Sequence, residues 1–313
     1  MDEQSVLKDI VLTSIKENRK TQRWAIFFRL LFWGYLFFVT FIVARLIFSE
    51  NQSTTSSTQK NHIALIRLEG VIDSLNHTTN SNSIIDSLEN AFKNKNSQAV
   101  ILYINSPGGS AVESDIIFRA IRELSKTYPK KNIVAVAGEY AASGGYYIAS
   151  ACKKIYANNA SIVGSIGVRF DSFGFSELMK RYGVERRLYT AGDHKDLLDP
   201  FSPSKDRDKK YLITMLNEIH KTFIASVKEG RGDRLKESEP LFDGRAWVGS
   251  QALGLGIIDE IGDYRSVAKS IDANASLIDY SPKLSVMEEL ASNLGIRSLV
   301  TTLNHPSPIT LLP

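Results

Sequence analysis

The sequence predicts an α/β layer fold with a largely parallel sheet, preceded by one membrane-spanning helix. Three observations carry that expectation. Strand and helix signals alternate through most of the chain, the pattern of strands joined by crossover helices. Two runs, Ala99–Ile104 (AVILYI) and Ile133–Ala137 (IVAVA), are short and almost continuously apolar, as strands covered on both faces are. One stretch, Trp24 to Phe48, is apolar all round rather than on one face.

The N-terminal elements follow from length and charge. Roughly 20 apolar residues span a bilayer core, and residues 24–48 supply that length with only Arg29 and Arg45 near the ends, where long side chains reach the headgroups. A cleaved signal peptide is the main rival, but its apolar region is usually only about 7–15 residues and ends at a small-residue site; here Arg45-Leu-Ile-Phe follows instead. Lys16, Arg19, Lys20 and Arg23 crowd ahead of the span, whereas residues 49–58 carry Glu50 alone. The positive-inside bias therefore puts residues 1–23 in the cytoplasm and everything after the anchor outside. Residues 49–60 read as a polar tether.

Beyond it, Ile63–Leu68 reads as a strand, Ile84–Phe92 as a helix, Ala99–Ile104 as a strand and Ser110–Leu124 as a helix. Ile133–Ala137 is the next strand, a helix opens near Ser143, and short strands lie near Ile155 and Ile162–Val168. Lys205–Glu229 has helical spacing, with Leu212, Met215, Leu216, Ile219 and Phe223 on one face. The domain so drawn covers 61–275. A C-terminal tail, 276–313, follows, of which Ser285–Pro313 matches no motif; its apolar end SLVTTLNHPSPITLLP could pack on a neighbour or enter a groove, with disorder the favoured reading.

Composition excludes several classes. The chain has 313 residues, a formal net charge of +4 and no basic, aromatic-interleaved stretch, so nucleic acid is not an expected partner. Cys152, the single cysteine, permits no intrachain disulfide. The five histidines (His62, His77, His194, His220 and His305) lack metal-ligand spacing.

Three segments at strand ends carry chemistry. Asn105-Ser-Pro-Gly-Gly-Ser110 can turn sharply and present backbone N–H groups, although Pro-Gly-Gly alone is more often only a turn. Ser143 stands between Ala142 and Gly144, where its hydroxyl is approachable. The surroundings are not G-x-S-x-G, and by itself a serine there more often caps a helix. In Ala191–Pro200 (AGDHKDLLDP), either His194 or Lys195 is placed to act as base. A lysine needs an apolar setting to be neutral near pH 7, which Leu197, Leu198 and a bound peptide could provide.

INSPGG, AASGGYYIA, VGSIGV and AGDHKDLLDPF, in that order from Ile63 to Ile271, resemble the protease IV or signal peptide peptidase A family, peptidase family S49, in its short single-domain form. That resemblance implies a Clp-protease/crotonase-like fold and a membrane-anchored serine endopeptidase. It makes Ser143 the nucleophile, Lys195 the general base and Ser165 the hydroxyl that orients the lysine amine. Gly109 and Gly144 would form the oxyanion hole, with Gly108 left open as an alternative. No cofactor or metal is implied. The implied partners are peptide substrates such as cleaved signal peptides, the bilayer through residues 24–48, and further copies of the chain in an octameric ring whose sites take serine and lysine from adjacent subunits. The location implied is the bacterial inner membrane, with the protease domain on the outer, periplasmic side.

Overall fold

A computed structural model describes residues 24, 26–41, 61–236, 241–274 and 276–283, together with the backbone of 310 and 311. The chain divides into two units, residues 1–59 and 60–313. In the first, residues 26–41 form a helix (α1) whose aromatic and aliphatic side chains are exposed, Phe37 at 73%. The expected anchor lies partly outside the described residues, at 25 and 42–48; among the described residues no helix is long and apolar enough to cross a membrane.

The second unit is built on a mainly parallel sheet. Its first elements run β1 (His62–Glu69), α2 (Ser81–Lys93), β2 (Ser97–Ser106), β3 (Gly109–Ser110), α3 (Ala111–Thr127) and β4 (Asn132–Ala142). Then come α4 (Gly144–Ser150), β5 (Lys154–Ala157), β6 (Ile162–Gly164), α5 (Ser176–Arg181) and α6 (Asp206–Arg231). Finally β7 (Ala246–Val248), α7 (Gly249–Leu255), β8 (Glu260–Ile261), α8 (Tyr264–Ile271), β9 (Ser276–Asp279) and β10 (Thr310–Leu311) complete the order. β4, β2, β1 and β9 lie side by side and parallel. The sheet thus continues past residue 275, because Ser276–Asp279 pairs with His62–Leu65.

Alternation assigns the two faces. Ala64, Ile66 and Leu68 of β1 point with Val100, Leu102 and Ile104 of β2 into the larger core, which α2, α3, α4 and the rear of α6 cover. Ile63, Leu65, Ile101, Val134 and Val136 face the opposite way, onto Val267 and Ala268 of α8.

Strand β4 sets the position of α4 and of the turn between them. Its first half pairs with β5 and its last three residues, Tyr140–Ala142, pair with β6. Between these halves the β2 register slips from Ile104–Ala137 to Ser106–Ala141. The side-chain oxygen of Asn105 fills the slip, accepting from the N–H groups of Glu139 (3.1 Å) and Tyr140 (3.2 Å).

A buried ion pair fixes the end of α6. Arg231, 1% exposed, donates to Asp259 at 2.7 and 3.0 Å and to the Gly256 carbonyl at 2.8 Å. Burial pushes the Asp259 carboxyl pKa up, but hydrogen bonding and charge from Arg231, with the Ile155 N–H, outweigh it and hold the group below the usual carboxylate value.

Candidate active site

Ser143 sits where β4 turns into α4. Its φ is +52° and ψ −119°, a left-handed conformation unusual for a residue with a Cβ. Such a residue costs on the order of 1–3 kcal/mol and persists only where its surroundings over-determine it. Here they do. The Ser143 N–H donates to the Gly164 carbonyl at 2.7 Å, and its own carbonyl accepts from Tyr147 at 2.9 Å.

The helix beyond it is held just as firmly. All seven residues of α4 are buried. Tyr146 donates its hydroxyl to the Ile257 carbonyl at 2.8 Å. Tyr147 donates to Asp115 at 2.9 Å, meets Ser226 at 2.8 Å and stacks on Phe223 at 4.7 Å; burial pushes its phenol up to about 12.

The helix-cap reading of Ser143 does not hold. It occupies the cap position, but its hydroxyl makes no cap hydrogen bond. Ser143 Oγ is buried and has no hydrogen-bond partner among the described residues. Buried hydroxyls are rarely left so, and the exception calls for an explanation.

Gly144 and Gly109 meet beside it. A Cβ on Gly144 would stand 2.6 Å from Ser114 Oγ and 3.4 Å from the Gly109 nitrogen, so only glycine lets α4 approach this loop. Gly109 has φ +150° and lies against the Ile72 backbone, bridged by Ile72 N–H to the Gly108 carbonyl (2.9 Å) and Ser110 N–H to the Ile72 carbonyl (2.8 Å). The Gly108 N–H donates to Ser106 Oγ at 3.1 Å, so that alternative donor is already engaged. As the first residue of α4, Gly144 has an N–H with no intrahelical acceptor. The site therefore brings Ser143, Gly144 and Gly109 together at the C-terminal ends of parallel strands.

Ser165 is one residue past the strand that pairs with the end of β4. It is 5% exposed, with φ +53°. Its N–H donates to the Arg245 carbonyl at 2.9 Å and its hydroxyl to the Gly244 carbonyl at 3.3 Å. Gly164, which precedes it, carries the carbonyl bonded to Ser143, so one ladder step joins the two serines.

Lys195 is placed differently. It lies in the excursion 169–205 between β6 and α6, is exposed, and its side chain makes no ion pair or hydrogen bond among the described residues. Leu197 and Leu198 are half-buried, Leu198 at φ +65°, yet Lys195 itself stays exposed among the described residues. The excursion holds itself together: Phe175 stacks on Phe201 at 5.7 Å, and Arg186 pairs with Asp199. His194 Nδ1 lies 3.7 Å from Asp208 and the ring stacks on Tyr211 at 6.0 Å. Phe173, Tyr182 and Tyr189 remain 79, 75 and 88% exposed, a surface left uncovered by the described residues.

Sequence reading missed two residues of this region. Asn105 looked like part of a turn, although an amide between a strand and Ser-Pro is a fair signal of local backbone bonding. His220 was one of five scattered histidines. It belongs to the inward face of α6, four residues after Leu216 and three before Phe223, and its Nε2 lies 2.9 Å from the Ile166 carbonyl.

The C-terminal end also reaches this place. Thr310 and Leu311, assigned to a disordered tail on sequence grounds, pair antiparallel with Ser110 and Gly109. Residues 284–309 lie outside the described residues.

Comparison with known proteins finds two family models and several relatives similar to this chain. Residues 126–277 match the model of peptidase family S49, and residues 53–163 match that of Clp protease. A Synechocystis protein named provisionally as a protease is 32% identical over 207 residues, 66% of this chain and 72% of its own length. Protease 4 of Haemophilus influenzae is 32% identical over 216 residues, 68% of this chain and 34% of that protein. A Brucella abortus protein named Na(+)/H(+) antiporter NhaA is 48% identical over 241 residues, 75% of this chain. This chain spans 33% of that Brucella protein. A solved structure, of a membrane-bound stomatin-specific protease mutant, overlays 72% of this chain at TM-score 0.41 and 15% identity.

Proposed function

The chain belongs to peptidase family S49, a family of serine proteases with a Clp protease-like α/β domain, and on that basis we propose a membrane-anchored endopeptidase using Ser143 and Lys195. The observation that carries this reading is the strained, buried and unbonded Ser143 hydroxyl beside Gly144 and Gly109.

The chemistry is acyl transfer in two steps. A neutral Lys195 amine takes the Ser143 proton as the oxygen attacks a peptide carbonyl. The Gly109 and Gly144 N–H groups stabilise the resulting oxyanion. The lysine ammonium then protonates the leaving amine, and water repeats the attack on the acyl-enzyme. Ser165 orients the amine. No metal or nucleotide enters these steps.

The dyad is assembled between copies, in a ring that the family resemblance makes octameric. An unpartnered nucleophile, an exposed lysine and an uncovered aromatic surface on the same excursion all support this. Substrates are cleaved signal peptides and other unfolded apolar chains. The β10–β3 pairing supports an extended mode of binding, because it lays a chain segment antiparallel along Gly109 and Ser110. Residues 24–48 anchor the protein in the bacterial inner membrane, with the N-terminus cytoplasmic and the protease domain on the periplasmic side.

A fluorophosphonate probe tests the reading. Label maps to Ser143 in the full-length protein and disappears in Lys195→Ala. The approach of His194 to Asp208 favours a second reading, a histidine base. Full labelling of Lys195→Ala, with loss in His194→Ala, would select it.

A further inference from the structure

We propose that His220 is a positioning residue for Ser165, acting through the Ile166 carbonyl. The inference rests on Ser165 being the hydroxyl that orients the lysine amine.

Nε2 of His220 lies 2.9 Å from the Ile166 oxygen. A carbonyl only accepts, so Nε2 carries the hydrogen and donates it. The contact bridges elements distant in sequence: the middle of α6 and the turn after β6.

That turn needs holding. Ser165 is a non-glycine residue at φ +53°, and such a residue relaxes unless its neighbours prevent it. Three bonds restrain it from the sheet side. The Gly164 carbonyl accepts from Ser143, the Ser165 N–H donates to the Arg245 carbonyl, and the Ser165 hydroxyl donates to the Gly244 carbonyl. The last is long at 3.3 Å, whereas O–H···O bonds cluster near about 2.7–2.8 Å. The hydroxyl is therefore weakly committed and can turn to an amine, provided the backbone beneath it stays fixed.

His220 supplies the restraint from the helix side. The Ile166 side chain is fully buried and pins one side of that residue, while the histidine bond pins its carbonyl. Of these restraints, the histidine bond can be removed without breaking a strand ladder. The imidazole is half-buried, at the boundary between the buried rear of α6 and its exposed front, so it also ties the helix leading out of the Lys195 excursion to the Ser165 turn.

Four variants of the full-length protein test this: His220→Leu, His220→Asn, His220→Gln and Ser165→Ala. Glutamine places its amide nitrogen near the Nε2 position, asparagine is too short, and leucine keeps volume without a donor. His220→Leu and His220→Asn are expected to lower kcat about tenfold on an unfolded apolar peptide, with KM changed less than about twofold, as a small misplacement of a catalytic group does. His220→Gln recovers most of the rate, which a histidine acting as the base itself would not permit. In the Ser165→Ala background, His220→Leu costs little more, because both changes remove one function. Thermal melting checks that each variant folds; if leucine does not, the asparagine–glutamine pair decides.

Equal rates for asparagine and glutamine would overturn the proposal, as would losses in Ser165→Ala and His220→Leu that multiply. A slow Ser165→Ala beside a fully active His220→Leu sinks the histidine role alone. A fully active Ser165→Ala removes the Ser165 reading, and the role of His220 with it.

Discussion

Ser143 and Lys195 lie in regions built on opposite principles. The Ser143 region is over-determined: a strand end, a wholly buried helix and a glycine contact leave one conformation, strained and unbonded at the hydroxyl. Among the described residues the Lys195 region is held by ring stacks and ion pairs within 169–205 and the first turns of α6, with Phe173, Tyr182 and Tyr189 facing out. One chain thus fixes Ser143 rigidly and leaves Lys195 exposed. In the proposed mechanism a second surface must cover Lys195 and exclude water from its amine.

The strongest way to break that contrast is to separate the two halves genetically. Ser143→Ala and Lys195→Ala should each lower kcat/KM on a peptide substrate by about 10³-fold or more. Co-assembling the two dead variants should restore activity at about a quarter of the sites if serine and lysine come from different copies. No recovery in a mixed assembly, verified by mass, would mean the dyad closes within one chain.

Ion pairs offer a second contrast. Arg231→Met strands Asp259 without its buried partner and should cost about 3–5 kcal/mol in urea unfolding. The exposed Arg187–Glu185 pair of the excursion, 70 and 71% exposed, should lose no more than about 0.5 kcal/mol in Arg187→Ala. Equal losses would erase the distinction between the regions. The Asp259 pair also has a pH signature. Its folded pKa lies below the unfolded value, so its stabilisation is present above the ordinary carboxylate range and is lost as pH falls through the folded pKa. Asp259→Asn should flatten that part of the stability–pH curve.

Gly144→Ala probes the rigid side. Its Cβ would stand 2.6 Å from Ser114 Oγ, forcing a shift that displaces the backbone N–H groups proposed to bind the oxyanion. The expected loss is about 10²-fold in kcat with the fold intact. The smallest effect concerns Cys152, whose thiol burial pushes up to about 12. Iodoacetamide should leave it unmodified in folded protein at neutral pH and label it only on unfolding; rapid labelling would mean that this core opens readily.

Much of the sheet was legible in the sequence because buried strands impose their pattern locally. AVILYI and IVAVA became the cores of β2 and β4, and the face of α6 carrying Phe223 turned inward. The strand at 276–279 was not legible, since a short edge strand carries little periodic signal. The earlier part of that α6 face, Leu212 to Ile219, is only half-buried, which the helical spacing by itself does not reveal. Asn105 and His220 escaped notice for a related reason: each bonds a backbone group far away in sequence.

The order of strands and helices, the small residues around Ser143 and the motifs that mark the family were all written in the chain, readable over a few neighbouring positions. Other outcomes came from packing alone: Ser143 and Ser165 are both left-handed and one ladder step apart, the Gly108 N–H is taken up by Ser106 Oγ, and Lys195 stands exposed. Each of these depends on which distant segments meet, and that is set by the whole fold rather than by any local pattern.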